Sequence, residues 1–470
     1  MDIARSSLKV FVSNVGGAVV LFLGIAFFAR ELGAAQLGVF FLFQALLRFL
    51  SLPATLGLNT AIIKRISEGR SPEQTLSTGL VLKLVLLSVI VPILVAASPI
   101  LNEYLGAELA LLLAVTLVVQ EVAEVMIDAL EGELRVGETA IITFTHSVTW
   151  IGVGAILVTR GYGATGLAYA LLIGYAAELA LAAYKVETGI GSPSRDLARS
   201  LVNYSKYATV SDANGYMHSW MDILVISFFL APAAVGVYEV AWQVAAPVLL
   251  FTSAISTTIF PQISSWEATG SIEAVERLFS RVVTPAVLLT IPAFFGVLLL
   301  SREILELVYG PEYTAAWLVL IILVGGKIPR AIRILAGNSL FGLNRPDYVT
   351  RAALVDIIGN LVLNFVLIWQ FGIVGAAVAT VVSMTAGTVV RTYYLSQLMR
   401  LRVRYDEILW CVGSATGMYL VLYAMKQRYP VDSLPTLLAF VVAGVAIYGA
   451  LVSLHGSMRS QLWRHAIEQF

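Results

Sequence analysis

Apolar residues run along this chain in long blocks, each near the length of a membrane-crossing helix and each separated from the next by a short polar stretch. A spanning helix needs roughly 20 mostly apolar residues. Blocks of that kind occupy 8–29, 37–62, 78–98, 107–131, 140–159, 163–184, 204–230, 233–262, 280–300, 315–341, 348–370, 373–398, 407–426 and 434–455. The pattern predicts an all-α polytopic membrane protein of about fourteen transmembrane helices. The connections are too short to hold a soluble domain. The first block follows Arg5 and Lys9, as a secretory leader would, but it is too long and lacks a small-residue cleavage site. It reads as the first span.

Composition agrees. The 470 residues are 59% hydrophobic and 13% charged, with mean hydropathy +0.85, whereas soluble domains carry about 25% charged residues. Net charge is zero, so nothing favours a nucleic-acid partner. The single cysteine, Cys411, excludes an internal disulfide and a CxxC metal site. Four histidines without HExxH spacing argue against a zinc enzyme, and the chain has no Walker motif. We expect no cofactor and no metal.

Orientation follows from the loop cations. With the N-terminus inside, 19 Lys and Arg flank the spans on the cytoplasmic side. Only Arg30, Arg160, Arg302, Lys426 and Arg428 face out. The bias requires an even number of spans and places both termini in the cytoplasm.

The two halves resemble each other at an offset near 200 residues. The segment Ala34 to Phe40 matches Pro232 to Tyr238. Leu130-Glu131-Gly132 with Arg135 matches Leu340-Phe341-Gly342 with Arg345, and Gly163 to Ala168 matches Gly372 to Ala377. Six helices per half is an even number, so the repeat is parallel, and such architectures place substrate between the lobes. The expected organisation is a six-helix lobe at 1–200, a second at 201–400, and two additional helices with a short tail at 401–470.

Ionisable groups at bilayer depth are costly and mark function or pairing. Lys327, Arg330 and Arg333 give the tenth span a cationic face, and Arg48 lies midway along the second. Arg binds phosphate in a bidentate way, so these four are candidate phosphate ligands. Pairing with protein acids is the plainer alternative. Glu121, Glu124 and Asp128 form an acidic face on the fourth span, the repeat partner of the tenth. They read either as pairing between lobes or as a proton or sodium site. Asp222 is the deepest acid of the seventh span, a candidate counter-ion for Arg48 or a protonation site. Asn14, His218, Asn360 and Asn364 are candidate cavity-lining polar groups. Asp356, Asn360 and Asn364 recur every four residues and suit interhelical hydrogen bonding as well. Pro53, Pro92, Pro247, Pro285, Pro292 and Pro329 fall in or near spans and are candidate hinges.

Several segments resemble one family. Arg30-Glu31-Leu32-Gly33 running to Gly38-Val39-Phe40 looks like the first loop of polysaccharide-export flippases. Asp222 to Ile226 with Val235 to Tyr238 looks like their seventh-to-eighth helix hairpin. Tyr309-Gly310-Pro311-Glu312-Tyr313 resembles the segment before their tenth helix. Asn360 to Asn364 followed by Phe371 to Ala377 resembles their most specific stretch. The chain is thus similar to the Wzx-like oligosaccharide flippases of the multidrug/oligosaccharidyl-lipid/polysaccharide exporter superfamily.

The resemblance implies two six-helix lobes in a V plus two helices, without enzymatic activity, in the cell membrane. It implies a lipid-linked oligosaccharide substrate on an isoprenoid phosphate or diphosphate, moved from inner to outer leaflet by alternating access. Other polysaccharide-assembly proteins are implied partners beside membrane lipids. Arg48 matches the phosphate-binding role by position. An ion gradient, H+ or Na+, or the membrane potential is the expected energy source. The rival readings are a lipid II flippase, a drug/cation antiporter of the same superfamily, and a membrane glycosyltransferase. The last would need a long outer loop with catalytic carboxylates, which the short 301–314 segment does not offer.

Overall fold

The computed structural model describes residues 3–456 and 458, with side chains throughout except at 3–15, 207–219 and 268. Two candidate positions, Asn14 and His218, therefore lie outside the described side chains. Among the described residues there are helices and no strands. The chain forms two compact units, Met1–Gly236 and Val237–Phe470.

The first unit holds α1 (Ile3–Thr55), α2 (Leu58–Ser67), α3 (Pro72–Ala96), α4 (Ser98–Leu105), α5 (Ala110–Gly132), α6 (Val136–Thr159), α7 (Gly163–Lys185), α8 (Arg195–Phe229) and the start of α9 (Pro232–Ala245). The second continues through α10 (Leu250–Ala268), α11 (Ile272–Val287), α12 (Thr290–Ile304), α13 (Trp317–Gly342), α14 (Pro346–Leu398), α15 (Tyr405–Arg428) and α16 (Leu434–Ser453). Local sequence explains many of the boundaries. Pro72 and Pro346 open α3 and α14 at the position where a missing N–H costs nothing. Ser433 and Thr436 cap the start of α16 reciprocally.

Among the described residues, ten helical segments are long and apolar enough to cross a membrane. Two of them are bent at a glycine in a conformation that side chains avoid: Gly33 (φ 72°) inside α1 and Gly372 (φ 57°) inside α14. The chain is a multi-pass helical membrane protein.

The repeat read from sequence reappears as geometry. At the end of α5, the Arg135 amide donates to Leu130 O (2.9 Å) and Leu134 takes φ 61°. At the end of α13, the Arg345 amide donates to Leu340 O (2.9 Å) and Asn344 takes φ 55°. Inside each unit the helix preceding that turn presses on an isoleucine. A Cβ on Gly132 would sit 2.6 Å from Ile66, and one on Gly342 would sit 2.7 Å from Ile263. Small residues let membrane helices approach this closely, where no hydrophobic effect drives association.

The C-terminal helices do not form a separate body. Leu422, Leu437, Phe440 and Val452 of α15 and α16 pack with Ile291, Leu299 and Leu300 of α12. Lys426 Nζ pairs with Glu303 (2.7 Å) and the Tyr448 hydroxyl donates to Leu288 O (2.9 Å). They are part of the second unit.

Candidate functional site

Each unit carries a buried charged cluster, and the two are built differently. In the first unit α5 supplies Glu121, Glu124 and Asp128, which fall along one face because they recur three and four residues apart. Lys83 of α3 donates to Glu121 Oε2 (2.7 Å) and lies 3.7 Å from Glu124; Lys83 and Glu121 are both fully buried. Thr55 donates to Glu121 (3.0 Å), and Ser51 bonds it too. Asn59 Nδ2 and Gln120 Nε2 donate to Glu124, each at 3.1 Å. Arg48 of α1 approaches Glu124 at 3.7 Å.

Glu121 and Glu124 are therefore matched by cations of their own unit. The sequence had suggested pairing between lobes and did not single out Lys83. The available signal was a lone lysine five residues inside the apolar run 78–98. Arg48, placed among the phosphate ligands from sequence, sits beside Glu124 here and is about a third exposed. Asp222 is buried in the same unit.

In the second unit the cations outnumber the acids. Asp356 Oδ2 accepts from both Arg333 Nη2 and Arg391 Nη1, each at 2.8 Å. Arg391 was not noticed in the sequence, where it sits near the end of a long apolar run. Lys327 and Arg330 behave otherwise. Lys327 is 3% exposed and Arg330 half-buried. Neither makes an ion pair within 4.0 Å among the described residues. Both lie against the ring of Trp242, with Lys327 Nζ 4.5 Å and Arg330 Cζ 5.8 Å from its centroid. A ring face stabilises a desolvated cation by about 2 kcal/mol, less than the several kcal/mol its dehydration costs. Glu239, buried one turn before Trp242 on α9, acts on Lys327 through space. Four cations thus share two acids, an arrangement suited to an anion. One turn onward, Asn360 Nδ2 donates to Thr380 (3.1 Å) across the Gly372 bend, and Asn364 Nδ2 donates to Asn360 (3.0 Å). Asn360 thus ties the two halves of α14 together, and Asn364 braces it from the same half.

No group of His, Cys, Asp and Glu suited to a metal ion occurs among the described residues.

An apolar helical fold with a charged interior defines a membrane transporter type of architecture, and comparison places the chain within it. Residues 27–318 match the model of a family described as polysaccharide biosynthesis protein. The chain is 44% identical over 467 residues, 99% of both chains, to a protein of Haloferax volcanii named probable low-salt glycan biosynthesis flippase Agl15. It is 29% identical, over 98% of both chains, to the probable flippase AglR of the same organism. Its fold is similar to that of lipid II flippase MurJ in an inward closed conformation, with TM-score 0.82 and 15% identity over 99% of this chain and 100% of that one. A MATE family multidrug transporter in an inward-facing conformation is similar over 83% of this chain and 98% of its own, with TM-score 0.62. The protein belongs to the polysaccharide biosynthesis protein family, and within it is a relative of the archaeal glycan flippases.

Proposed function

We propose that this protein is a flippase that moves an isoprenoid phosphate- or diphosphate-linked oligosaccharide from the cytoplasmic to the outer leaflet by alternating access. The 44% identical relative, named as a probable glycan biosynthesis flippase, supports a glycan-bearing substrate. The observation that carries the mechanism is the buried Lys327 and half-buried Arg330, set against Trp242 without an ion-pair partner among the described residues. They hold the phosphate, whose oxygens supply the missing counter-charge. Arg333, already shared with Asp356, shapes the site rather than carrying the anion.

The spans number fourteen in this reading. Gly33 and Gly372 divide two of the ten apolar segments, and α8 and the charge-bearing α13 complete the set. The protein then sits in the cell membrane with both termini in the cytoplasm. It performs no covalent chemistry, and an ion gradient supplies the energy, with Glu121, Glu124, Asp128 and Asp222 as the acids available to couple it. Membrane lipids and other glycan-assembly proteins surround it.

The test is flipping of a labelled lipid-linked oligosaccharide in proteoliposomes. Lys327→Met and Arg330→Met should each lower the rate at least about tenfold, the loss expected when a charge-assisted contact worth about 1.5–3 kcal/mol disappears. Wild-type rates in both variants would move the phosphate site elsewhere. The likeness to lipid II flippase MurJ favours one second reading, a lipid II substrate. Faster flipping of lipid II than of lipid-linked oligosaccharide would establish it.

A further inference from the structure

The charged cluster on α5 holds one acid more than the cations beside it can match. Glu121 and Glu124 are both satisfied as anions, by Lys83, Arg48, Thr55, Ser51, Asn59 and Gln120. Two cations balance those two carboxylates. Asp128 is the third acid, one turn beyond Glu124 on the same face of α5. It is 6% exposed, and its Oδ2 has no hydrogen-bond partner among the described residues.

Of the charged groups on the helices packed against α5, Lys83 of α3 acts on Asp128 through space but spends its ammonium on Glu121 and Glu124, and the others are engaged elsewhere. On α2, Lys64 lies over the Tyr204 ring and Arg65 pairs with Glu68. On α7, Glu178 faces His146 and Lys185 holds Glu138 of α6. Arg135 holds Glu133 and Glu138. Glu103 of α4 belongs to the opposite end of α5, and Glu131, close by, only adds negative charge. A buried carboxylate with no counter-charge costs several kcal/mol, whereas a neutral carboxyl needs only modest solvation.

We infer that Asp128 is a proton-binding site, and that uptake and release of this one proton couples a pH gradient to transport. The coupling role rests on the flippase reading; the bound proton does not. With the proton in place the cluster of Arg48, Lys83, Glu121, Glu124 and Asp128 is neutral. Without it, one net negative charge is buried beside the contacts that join α1, α2, α3 and α5, which favours a different packing of those helices. Asp128 lies four residues from the Gly132 end of α5, next to the turn that carries Arg135. The proton therefore exchanges from the end of the helix that the loop cations place in the cytoplasm.

Infrared difference spectroscopy of the purified full chain across a pH titration tests the site without any substrate. The carbonyl band of a buried protonated carboxylic acid should be present in wild type, shift on isotopic labelling of aspartate alone, persist in Glu131→Gln, and vanish in Asp128→Asn and Asp128→Ser. A band that survives both Asp128 variants, or no such band in wild type, overturns the proposal. Labelling keeps the test decisive if either variant misfolds: a band that ignores aspartate label is not Asp128. In proteoliposomes the wild-type rate should change by up to about tenfold per pH unit of imposed gradient. The Asp128→Asn rate should not respond; an unchanged response would sink the coupling role. If wild type flips no lipid-linked oligosaccharide while the band behaves as expected, the proton site stands and the substrate reading falls.

Discussion

The helices α5 and α13 end in the same turn, with the same backbone hydrogen bond from Arg135 and Arg345 and the same glycine pressed on an isoleucine. Yet α5 carries four acids, three of them along one face, where α13 carries three cations. The backbone repeat has been kept while the interior charge has been inverted. The two interiors also differ in how their charges are used. Lys83 and Glu121 neutralise each other at 2.7 Å, with Ser51 and Thr55 also bonded to the carboxylate. Lys327 and Arg330 rest on one indole and make no ion pair among the described residues. A satisfied pair is structure; an unsatisfied one is stored affinity for a ligand, obtained at the expense of stability.

This contrast makes opposite demands on similar substitutions. The largest effect should come from Lys83→Met, which strands Glu121 in a buried site. Breaking one side of a buried pair costs about 3–5 kcal/mol, so the variant should lose most folded protein by fluorescence-detected size exclusion. The double variant Lys83→Met/Glu121→Gln should recover much of it. Equal losses in single and double variants would show that Lys83 acts by packing alone.

Next in size, Asp356→Asn leaves Arg333 and Arg391 facing each other without a carboxylate. A loss of about 1–3 kcal/mol is expected, read as a lowered thermal midpoint, with Asp356→Glu retaining part of it. Lys327→Met should do the reverse of Lys83→Met. Removing a cation that has no ion pair should leave the thermal midpoint unchanged or raise it, even while flipping falls. A destabilised Lys327→Met would erase the distinction drawn here between the two units.

The smallest effect belongs to the surface. Glu68, in the short polar segment after α2, is held below the usual carboxylate range by its hydrogen bond from Arg65. Its contribution is present above the unfolded value and fades as pH falls through the folded one. Exposed pairs of this kind are screened by solvent and weak, so Arg65→Ala should not measurably shift the midpoint at neutral pH. A large shift would mean that the end of α2 is more than a solvated helix terminus.

The sequence carried most of the architecture because the bilayer reduces folding to a one-dimensional question. Each span must satisfy its own backbone, so apolar length alone announces a helix. The duplication was visible for a related reason: Gly132, Gly342, Gly163 and Gly372 occupy close approaches or left-handed turns that few other residues tolerate. Arg48, Lys327, Arg330 and Arg333 stood out because charge in an apolar run is rare. Their division of labour did not. Whether an intramembrane cation is paired depends on a carboxylate dozens of residues away, as Lys83 depends on Glu121 and Arg391 on Asp356.

The chain by itself thus determined that the protein is helical, multi-pass and internally duplicated, since these follow from period, length and local backbone chemistry. Only the tertiary structure decided which charges cancel and which do not, and where α15 and α16 belong. It alone separated Lys327 and Arg330 from the paired Arg333, and the unmatched Asp128 from the matched Glu121 and Glu124. The physical reason is range: helix formation is settled within a few residues, whereas charge balance in a low-dielectric interior is settled by whatever distant helix the packing brings within a few ångströms.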